Sequence, residues 1–417
     1  MAFPKPTLHP LEQVEESTIK YAVIVARHQG KWIYCRHKDR QTWECPGGHR
    51  EPGETPLETA RRELYEETGA VNADIHPVGV YKLFDPGLLC FAEIRELKPI
   101  PQGSEIAEIR LFDAVPETLT YAGVHDQLFQ WVQAWLSREP RDILQQMDQQ
   151  EAISLCPFFR EEDDEAYDVW RVALPDRTCV LKKAKGKELD FYAAFLQDDA
   201  PFAPKLYAKT NDWLLMEYVP GNNLMRCDRE SLTRVLDSLI IMQQQFWQAE
   251  DSLDSFDAAL TSRKNRLQYL QDPQLEAAYS AYLKEFQTLP RTLCHDDLLP
   301  FNVIVSADRA VLIDWEVGGI LPWPTSLARL MAHGESEDNA FFYMTDPDKT
   351  YAISYFYEHF IKGRGVGLES YRRSIDLALF YEYCEWVYVG NKYQDTNNDR
   401  YRKYHQKAKS QAAKLGF

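Results

Sequence analysis

The sequence predicts a two-domain protein of mixed α/β (α+β) class, and three observations carry that prediction. Residues 18–28 and 31–38 alternate like two strands about Gln29-Gly30. A glycine pair, Gly47-Gly48, runs into a helix with its own start and stop signals. A second block of His, Asp and Asn residues lies at 293–305, beyond a polar tract near residue 140. At 417 residues the chain is long enough for two or three domains, each with its own core.

The first domain is expected to run to residue 140. After the two strands, Trp43-Glu44-Cys45-Pro46 leads into the glycine turn. Thr55 then caps a helix, Pro56 suits its first turn, and Glu58 completes a capping box. Gly69 ends it in a left-handed conformation. Further strands are expected at His76–Phe84, Leu88–Leu97 and Ile109–Phe112, and a closing helix at His125–Leu136. Within the capped helix, Glu63, Glu66 and Glu67 are spaced i, i+3, i+4 and share one face. Three like charges so placed repel unless a cation sits among them. Hard oxygen ligands point to Mg²⁺ or Mn²⁺.

Composition narrows the class. Hydrophobic residues at 45% and charged residues at 27% are ordinary globular values. No apolar run approaches the roughly 20 residues needed to span a bilayer, and the first residues lack the basic and apolar regions of a signal peptide. Eight cysteines without a C-x-x-C pair indicate neither a disulfide framework nor a zinc site, so reduced thiols in a cytoplasmic protein are expected. A net charge of −17 makes a poor general binder of nucleic acid or anionic membrane. The basic tract Tyr401–Phe417 reads as an exposed terminal helix. Nothing in the sequence marks an oligomeric state.

The stretch Gly48–Ala70, GHREPGETPLETARRELYEETGA, resembles the Nudix box, Gly-x5-Glu-x7-Arg-Glu-U-x-Glu-Glu-x-Gly-U with U a bulky aliphatic, at every position except Ala70. The resemblance implies a Nudix α/β/α sandwich and metal-assisted attack of water on a diphosphate linked to another moiety. It makes Glu63, Glu66 and Glu67 metal ligands, with the Gly48 carbonyl a further one. Arg62 would hold those carboxylates and Glu54 would brace the loop. A later acidic residue, Glu105 or Glu108, is the candidate assistant. WECPGGHREPGETP resembles the branch that cleaves nucleoside triphosphates, such as 8-oxo-dGTP diphosphatases.

Ser137–Arg141 and the polar QQMDQQEA that follows are expected to form a linker, centred on 141–152. Beyond it, LCHDDLLPFNVIV (293–305) and VLIDWEVGG (311–319) place an Asp five residues before an Asn, then an Asp at a strand end. This spacing is similar to that of kinase-like enzymes, in which one carboxylate orients the attacking hydroxyl and the other two groups hold Mg²⁺. Here those are Asp297, Asn302 and Asp314, with His295 and Glu316 as supports. Lys182, or failing it Lys183, supplies a strand lysine for the α/β-phosphates, and Glu188 is its helical partner. LLMEYVPGNNL reads as the hinge, with adenine of ATP (or GTP) met around Glu217–Tyr218. Residues 153–417 thus resemble the aminoglycoside phosphotransferase/choline kinase family, which implies a bilobal kinase-like fold, an N-lobe at 153–218 and a C-lobe at 219–417.

Three departures qualify the kinase half. Asp296 stands where the family has Gly or Asn. Ser326 stands where Asp is usual, which implies a lost support contact to the catalytic loop. No glycine lies between Pro140 and Lys185, and the acidic run Glu161–Glu165 would repel phosphate over the site. Phe380–Tyr388 mixes aromatics and carboxylates, as a cage for an ammonium group would, although helical spacing favours plain core. The sequence therefore reads as a bifunctional enzyme. It would hydrolyse a nucleotide substrate and phosphorylate a small-molecule hydroxyl, on an amino alcohol such as choline or ethanolamine or on an aminoglycoside. The alternative is a Nudix hydrolase regulated by a nucleotide-binding pseudokinase.

Overall fold

The structure is a computed structural model describing residues 5–136, 139–149, 152, 154–159, 166–197 and 200–417. The acidic run Glu161–Glu165 lies outside the described residues. The chain divides into two compact units, residues 1–183 and 184–417.

The first unit opens with β1 (Thr7–His9), β2 (Tyr21–His28) and β3 (Lys31–His37). Gln29 and Gly30 join β2 to β3 with φ of 52° and 77°, the double positive φ that a two-residue hairpin turn requires. Next come β4 (Gly47–His49), α1 (Pro56–Thr68), β5 (Ala70–Lys82), β6 (Pro86–Leu97), β7 (Ile106–Phe112) and α2 (His125–Leu136). The sheet order is β1-β5-β6-β2-β3-β7, with β4 added on β2. Its pairings are antiparallel except β2 with β6.

Alternation along β2 and β3 builds both layers of core. Ile24, Ala26 and Ile33 face Ala60 and Leu64 of α1. Val25, Trp32 and Tyr34 face Leu128, Phe129 and Val132 of α2. A mixed sheet between helices follows from that period of two. The capping box at Thr55 forms as expected, and Gly69 closes α1 at φ 77°.

The tract expected to be a linker holds a helix, α3 (Glu139–Gln146). Pro140 and Leu144 give it a buried face that the surrounding glutamines obscured. The unit ends with the antiparallel strands β8 (Ser154–Phe159), β9 (Ala166–Ala173) and β10 (Thr178–Lys183). Arg171 of β9 pairs with Glu12 at 3.3 Å.

In the second unit, α4 (Glu188–Ala194) precedes the hairpin of β11 (Leu206–Lys209) and β12 (Trp213–Glu217). Helices α5 (Arg229–Gln245), α6 (Ser255–Leu267) and α7 (Pro273–Phe286) follow. Two nested antiparallel pairs then shape the loops that matter. β13 (Arg291–His295) pairs with β16 (Gly318–Pro322), and β14 (Val303–Val305) pairs with β15 (Ala310–Leu312) between them. The nesting sets the loop after β13 against the loop after β15. Helices α8 (Pro324–Ala332), α9 (Asp346–Phe356), α10 (Leu368–Tyr393) and α11 (Asp399–Lys414) complete the unit. The basic tail is thus helical but not simply exposed, because Tyr404, Ala408 and Ala412 are buried. All eight cysteines are free and buried.

Candidate active sites

The first site is the glycine turn packed on α1. A Cβ on Gly47 would run into the backbone of Ala22 and Val23, so glycine is required there, and one on Gly48 would displace the Glu63 carboxylate from the turn. Arg62 gathers the acidic residues around itself. Its Nε donates to Glu54 Oε1 at 2.7 Å, and its Nη1 donates to Glu63 Oε1 at 2.8 Å and Glu66 Oε2 at 3.1 Å. Its Nη2 ties the turn to the helix through the His49 carbonyl at 2.9 Å. Glu54, also bonded by Thr59 Oγ1, is pulled down to about pKa 2 by the Arg62 hydrogen bond.

Glu67 stands apart from this cluster. Its Oε2 accepts from the Gly47 amide at 2.9 Å and from Cys35 Sγ at 3.6 Å. Burial, with the Glu63 charge adding to it, pushes Glu67 up to about 7, and burial also raises Glu63. Two carboxylates penalised for being charged, beside a glycine cradle with no room for a side chain, fit a divalent cation. Glu108 does not look toward such a role. Arg110 at 2.6 Å and Arg36 at 3.0 Å neutralise it and lower its pKa. Glu105 is exposed and meets His37 Nε2 at 3.2 Å.

The second site is built by the nested strand pairs. Buried His295 hydrogen-bonds the Ile313 carbonyl through Nε2 at 2.9 Å, and its Nδ1 accepts the Asp297 amide at 3.3 Å. Asn302 Nδ2 donates to the Asp297 carbonyl at 2.8 Å, and the Ile313 amide donates to the Asn302 carbonyl at 3.0 Å. With Nδ2 so engaged, the Asn302 amide oxygen is the atom left for a cation. Asp314 does not end a strand. It lies two residues past β15 in a left-handed conformation, φ 65°, which Asp adopts more readily than most residues. Glu316 offers its backbone carbonyl to the Lys187 amide at 3.4 Å, and its side chain is exposed.

Several expectations change. Ser326 keeps the support contact that its identity implied was lost, because its Oγ accepts the His295 amide at 2.9 Å. The Glu217 amide is spent on the Lys205 carbonyl at 2.8 Å, and its carboxylate on Arg309 at 2.5 Å, so Glu217 cannot donate an amide to adenine. Lys182 lies at the end of β10 and Glu188, 1% exposed, opens α4. The aromatic run of α10 is mostly core: Phe380, Cys384 and Val387 are buried in the α7–α10–α11 cluster. Its carboxylates are already held, since Arg329 Nη1 bonds both Glu382 (2.9 Å) and Glu385.

A profile for the NUDIX domain matches residues 17–132, and one for the phosphotransferase enzyme family matches residues 158–345. The chain carries a Nudix domain followed by a phosphotransferase-family domain. The Nudix part is 35% identical over 106 residues to the putative 8-oxo-dGTP diphosphatase YtkD of Bacillus subtilis, covering 24% of this chain and 66% of that one. It is 29% identical over 119 residues to the RNA pyrophosphohydrolase of Tolumonas auensis, covering 27% and 68%. The chain spans 66%, 61% and 55% of the length of YtkD, a second B. subtilis putative 8-oxo-dGTP diphosphatase and a MutT-like protein of Streptomyces ambofaciens. Among solved structures, choline kinase LicA from Streptococcus pneumoniae is 17% identical, covering 67% of this chain and 100% of that one, with a TM-score of 0.46.

In the phosphotransferase domain, sequence reasoning missed Arg329. Its Nε and Nη2 both donate to Asp297 Oδ1, at 3.1 and 2.6 Å. Nothing local in PTSLARL announces a partner 32 residues upstream. Among the described residues one trio of potential metal-ligand atoms lies within 4.8 Å of one another, His333, Glu382 and Glu385. Arg329 Nη1 bonds all three, with His333 Nε2 at 3.2 Å, so a guanidinium takes the place of a metal. In the Nudix domain the missed residue is Cys35, which burial keeps as a thiol and so as a donor to Glu67. Among the described residues no helix is long and apolar enough to cross a membrane.

Proposed function

We propose that this chain is a bifunctional enzyme, a Mg²⁺-dependent Nudix hydrolase (residues 1–140) joined to an ATP-dependent small-molecule kinase (153–417). The observation that carries the first half is the pair of carboxylates set against the Gly47-Gly48 turn, buried Glu63 packed on Gly48 and half-buried Glu67 bonded by the Gly47 amide at 2.9 Å. Glu63, Glu66 and Glu67, with the Gly48 carbonyl, would hold Mg²⁺ or Mn²⁺. The bound ion would offset phosphate charge and lower the pKa of water. Arg62 fixes Glu63 and Glu66 in place, and Glu54 keeps Arg62 aimed at them. Water adds to phosphorus and gives up a proton to solvent, the bridging P–O bond breaks, and a nucleoside monophosphate parts from pyrophosphate or from the phosphorylated second moiety.

The names of the relatives favour nucleotides carrying a 5′-polyphosphate, with oxidised dGTP among them. A nucleoside diphosphate linked to an alcohol, such as CDP-choline, is the alternative substrate. Incubating the purified chain with both classes and Mg²⁺ separates them. Release of CMP from CDP-choline, with nucleoside triphosphates untouched, would overturn the triphosphate reading.

In the kinase half, Asp297 would orient an acceptor hydroxyl and take its proton as the oxygen bonds the γ-phosphorus of ATP and ADP leaves. Asn302 and Asp314 would hold Mg²⁺. Lys182 would meet the α/β-phosphates, and Tyr218 with its neighbours would meet adenine. One observation favours a second reading, a nucleotide-binding regulator without transfer. Both Arg329 donors on Asp297 Oδ1 compete with any hydroxyl for that oxygen. Acceptor-stimulated ADP formation that Asp297→Asn abolishes supports the kinase. Nucleotide-dependent Nudix rates without ADP formation support the regulator.

A further inference from the structure

The arginines that tie the glycine turn to α1 are committed to the protein. Arg62 engages Glu54, Glu63, Glu66 and the His49 carbonyl through all three of its nitrogens. Arg50 donates to the Glu54 and Glu16 carbonyls at 2.6 and 2.8 Å. A different arginine is held beside the turn, by way of Glu44. That residue forms an antiparallel bridge with Cys35, their amides and carbonyls exchanging bonds of 3.0 and 2.9 Å. Residues opposed in this way project to one face, and Cys35 projects onto Glu67, with Sγ 3.6 Å from Oε2. The Glu44 carboxylate therefore lies on the metal-site face, where its charge is felt by Cys35 and Glu67. Glu44 is 8% exposed, and a charge so buried needs a partner. The partner is Arg40, whose Nη1 donates to Glu44 Oε2 at 2.6 Å.

Further contacts fix Arg40 in place. Its Nη1 also donates to the Tyr121 hydroxyl at 3.5 Å, and the guanidinium lies 5.6 Å over that ring. Its carbonyl accepts Arg36 Nη1 at 3.3 Å, and its amide donates to the His37 carbonyl at 3.1 Å. Both side-chain hydrogen bonds leave from Nη1, so among the described residues no acceptor takes the donors on Nε and Nη2. The side chain is 41% exposed. A planar guanidinium anchored at Nη1, with its Nε–Nη2 edge open to solvent, presents a two-donor fork that matches the non-bridging oxygens of a phosphate. The site needs such a cation. The carboxylates of Glu54, Glu63, Glu66 and Glu67 repel a polyanionic substrate, and positive charge on the same face offsets that repulsion alongside the metal.

We propose that Arg40, positioned by buried Glu44, binds the substrate's phosphates in the Nudix domain, taking non-bridging oxygens on its Nε–Nη2 edge. The proposal rests on the hydrolase reading of this site, so turnover and binding are measured separately. Full-length protein with Mg²⁺ is assayed for hydrolysis of dGTP. Calorimetry follows binding of α,β-methylene-dGTP in the Asp314→Asn background, which weakens the nucleotide site of the second domain. Arg40→Gln is expected to raise the KM and the analogue's Kd about tenfold or more, the worth of a charge-assisted hydrogen bond, with kcat changed far less. Arg40→Lys keeps the charge but loses the fork, and should recover only part of the change. Because Arg40→Gln strands Glu44, the double variant Arg40→Gln/Glu44→Gln controls for folding. Its Tm should return to the wild-type value while KM and Kd stay raised. A double variant whose KM and Kd return with its Tm, or an Arg40→Gln protein with both unchanged, makes Arg40 only the counter-ion of Glu44 and overturns the proposal. If the wild type leaves dGTP intact, the triphosphate-hydrolase reading fails and the binding arm still decides. A Kd raised by Arg40→Gln sustains the phosphate contact, whereas an unchanged Kd, or no binding by either protein, removes it.

Discussion

At the scale of single residues, the two sites handle buried charge in opposite ways. Glu67 is left without a cation of its own, and burial raises it to about 7. A carboxylic acid with a raised folded pKa stabilises the fold below its unfolded value near 4.5, and that stability is lost as pH climbs through 7. Metal-free protein should therefore lose on the order of 2–3 kcal/mol from this group between pH 4.5 and 7.5. Its Tm, followed by calorimetry in EDTA, is expected to fall across that window. Mg²⁺ should raise the Tm more at pH 7.5 than at pH 5, because the ion binds the ionised form. Glu67→Gln should flatten the metal-free profile and remove most of the Mg²⁺ response. Asp297 is the converse case, a carboxylate clamped by Arg329. Arg329→Gln leaves Glu382, Glu385 and Asp297 without their shared counter-charge and should cost about 3–5 kcal/mol by urea denaturation. Arg329→Lys restores the charge but not the two-donor grip on Asp297, so it should recover stability while kcat stays depressed and its pH profile shifts.

At the scale of elements, the helix that carries the Nudix acids is set by short-range signals, and those were legible. Thr55, Pro56, Glu58 and Gly69 give its limits directly, because each answers a local need of the helix ends. Thr55→Ala should cost about 1 kcal/mol, read from the midpoint of denaturation. Gly69→Ala should cost more, since it sets a Cβ against the Lys98 carbonyl at positive φ. The period-two strands were legible for the same reason. The buried face of α3 was not, because two apolar contacts among glutamines give no periodic signal. The conformation of Asp314 was also hidden. Its left-handed φ follows Ile313, whose carbonyl and amide are held by His295 and Asn302, residues remote in sequence.

At the scale of the whole molecule, the fold class and both families could be read from two dense motifs. Each motif compresses chemistry into adjacent residues. The cavity beside Asp297 could not, because its wall is assembled from α6, the loop after β13, α8 and α10, elements spread over more than a hundred residues. The aromatic and acidic spelling of α10 resembled an ammonium cage, but its helical spacing favoured plain core, where Phe380, Cys384 and Val387 lie. Ser326 shows the same lesson in reverse: its hydroxyl does at 2.9 Å what the family's carboxylate would do, and sequence comparison registers only the difference. Two chemistries in one chain should fail separately. The decisive measurement follows nucleotide hydrolysis and acceptor-dependent ADP formation side by side, with Mg²⁺, for wild type, Glu67→Gln and Asp297→Asn. A bifunctional enzyme predicts that Glu67→Gln, which removes a metal-site carboxylate charge, loses hydrolysis by about 100-fold or more, with ADP formation retained. Asp297→Asn should give the opposite pattern. If Asp297→Asn changes only the hydrolysis rate and no acceptor yields ADP in the wild type, the second domain is a regulator and the bifunctional reading is contradicted.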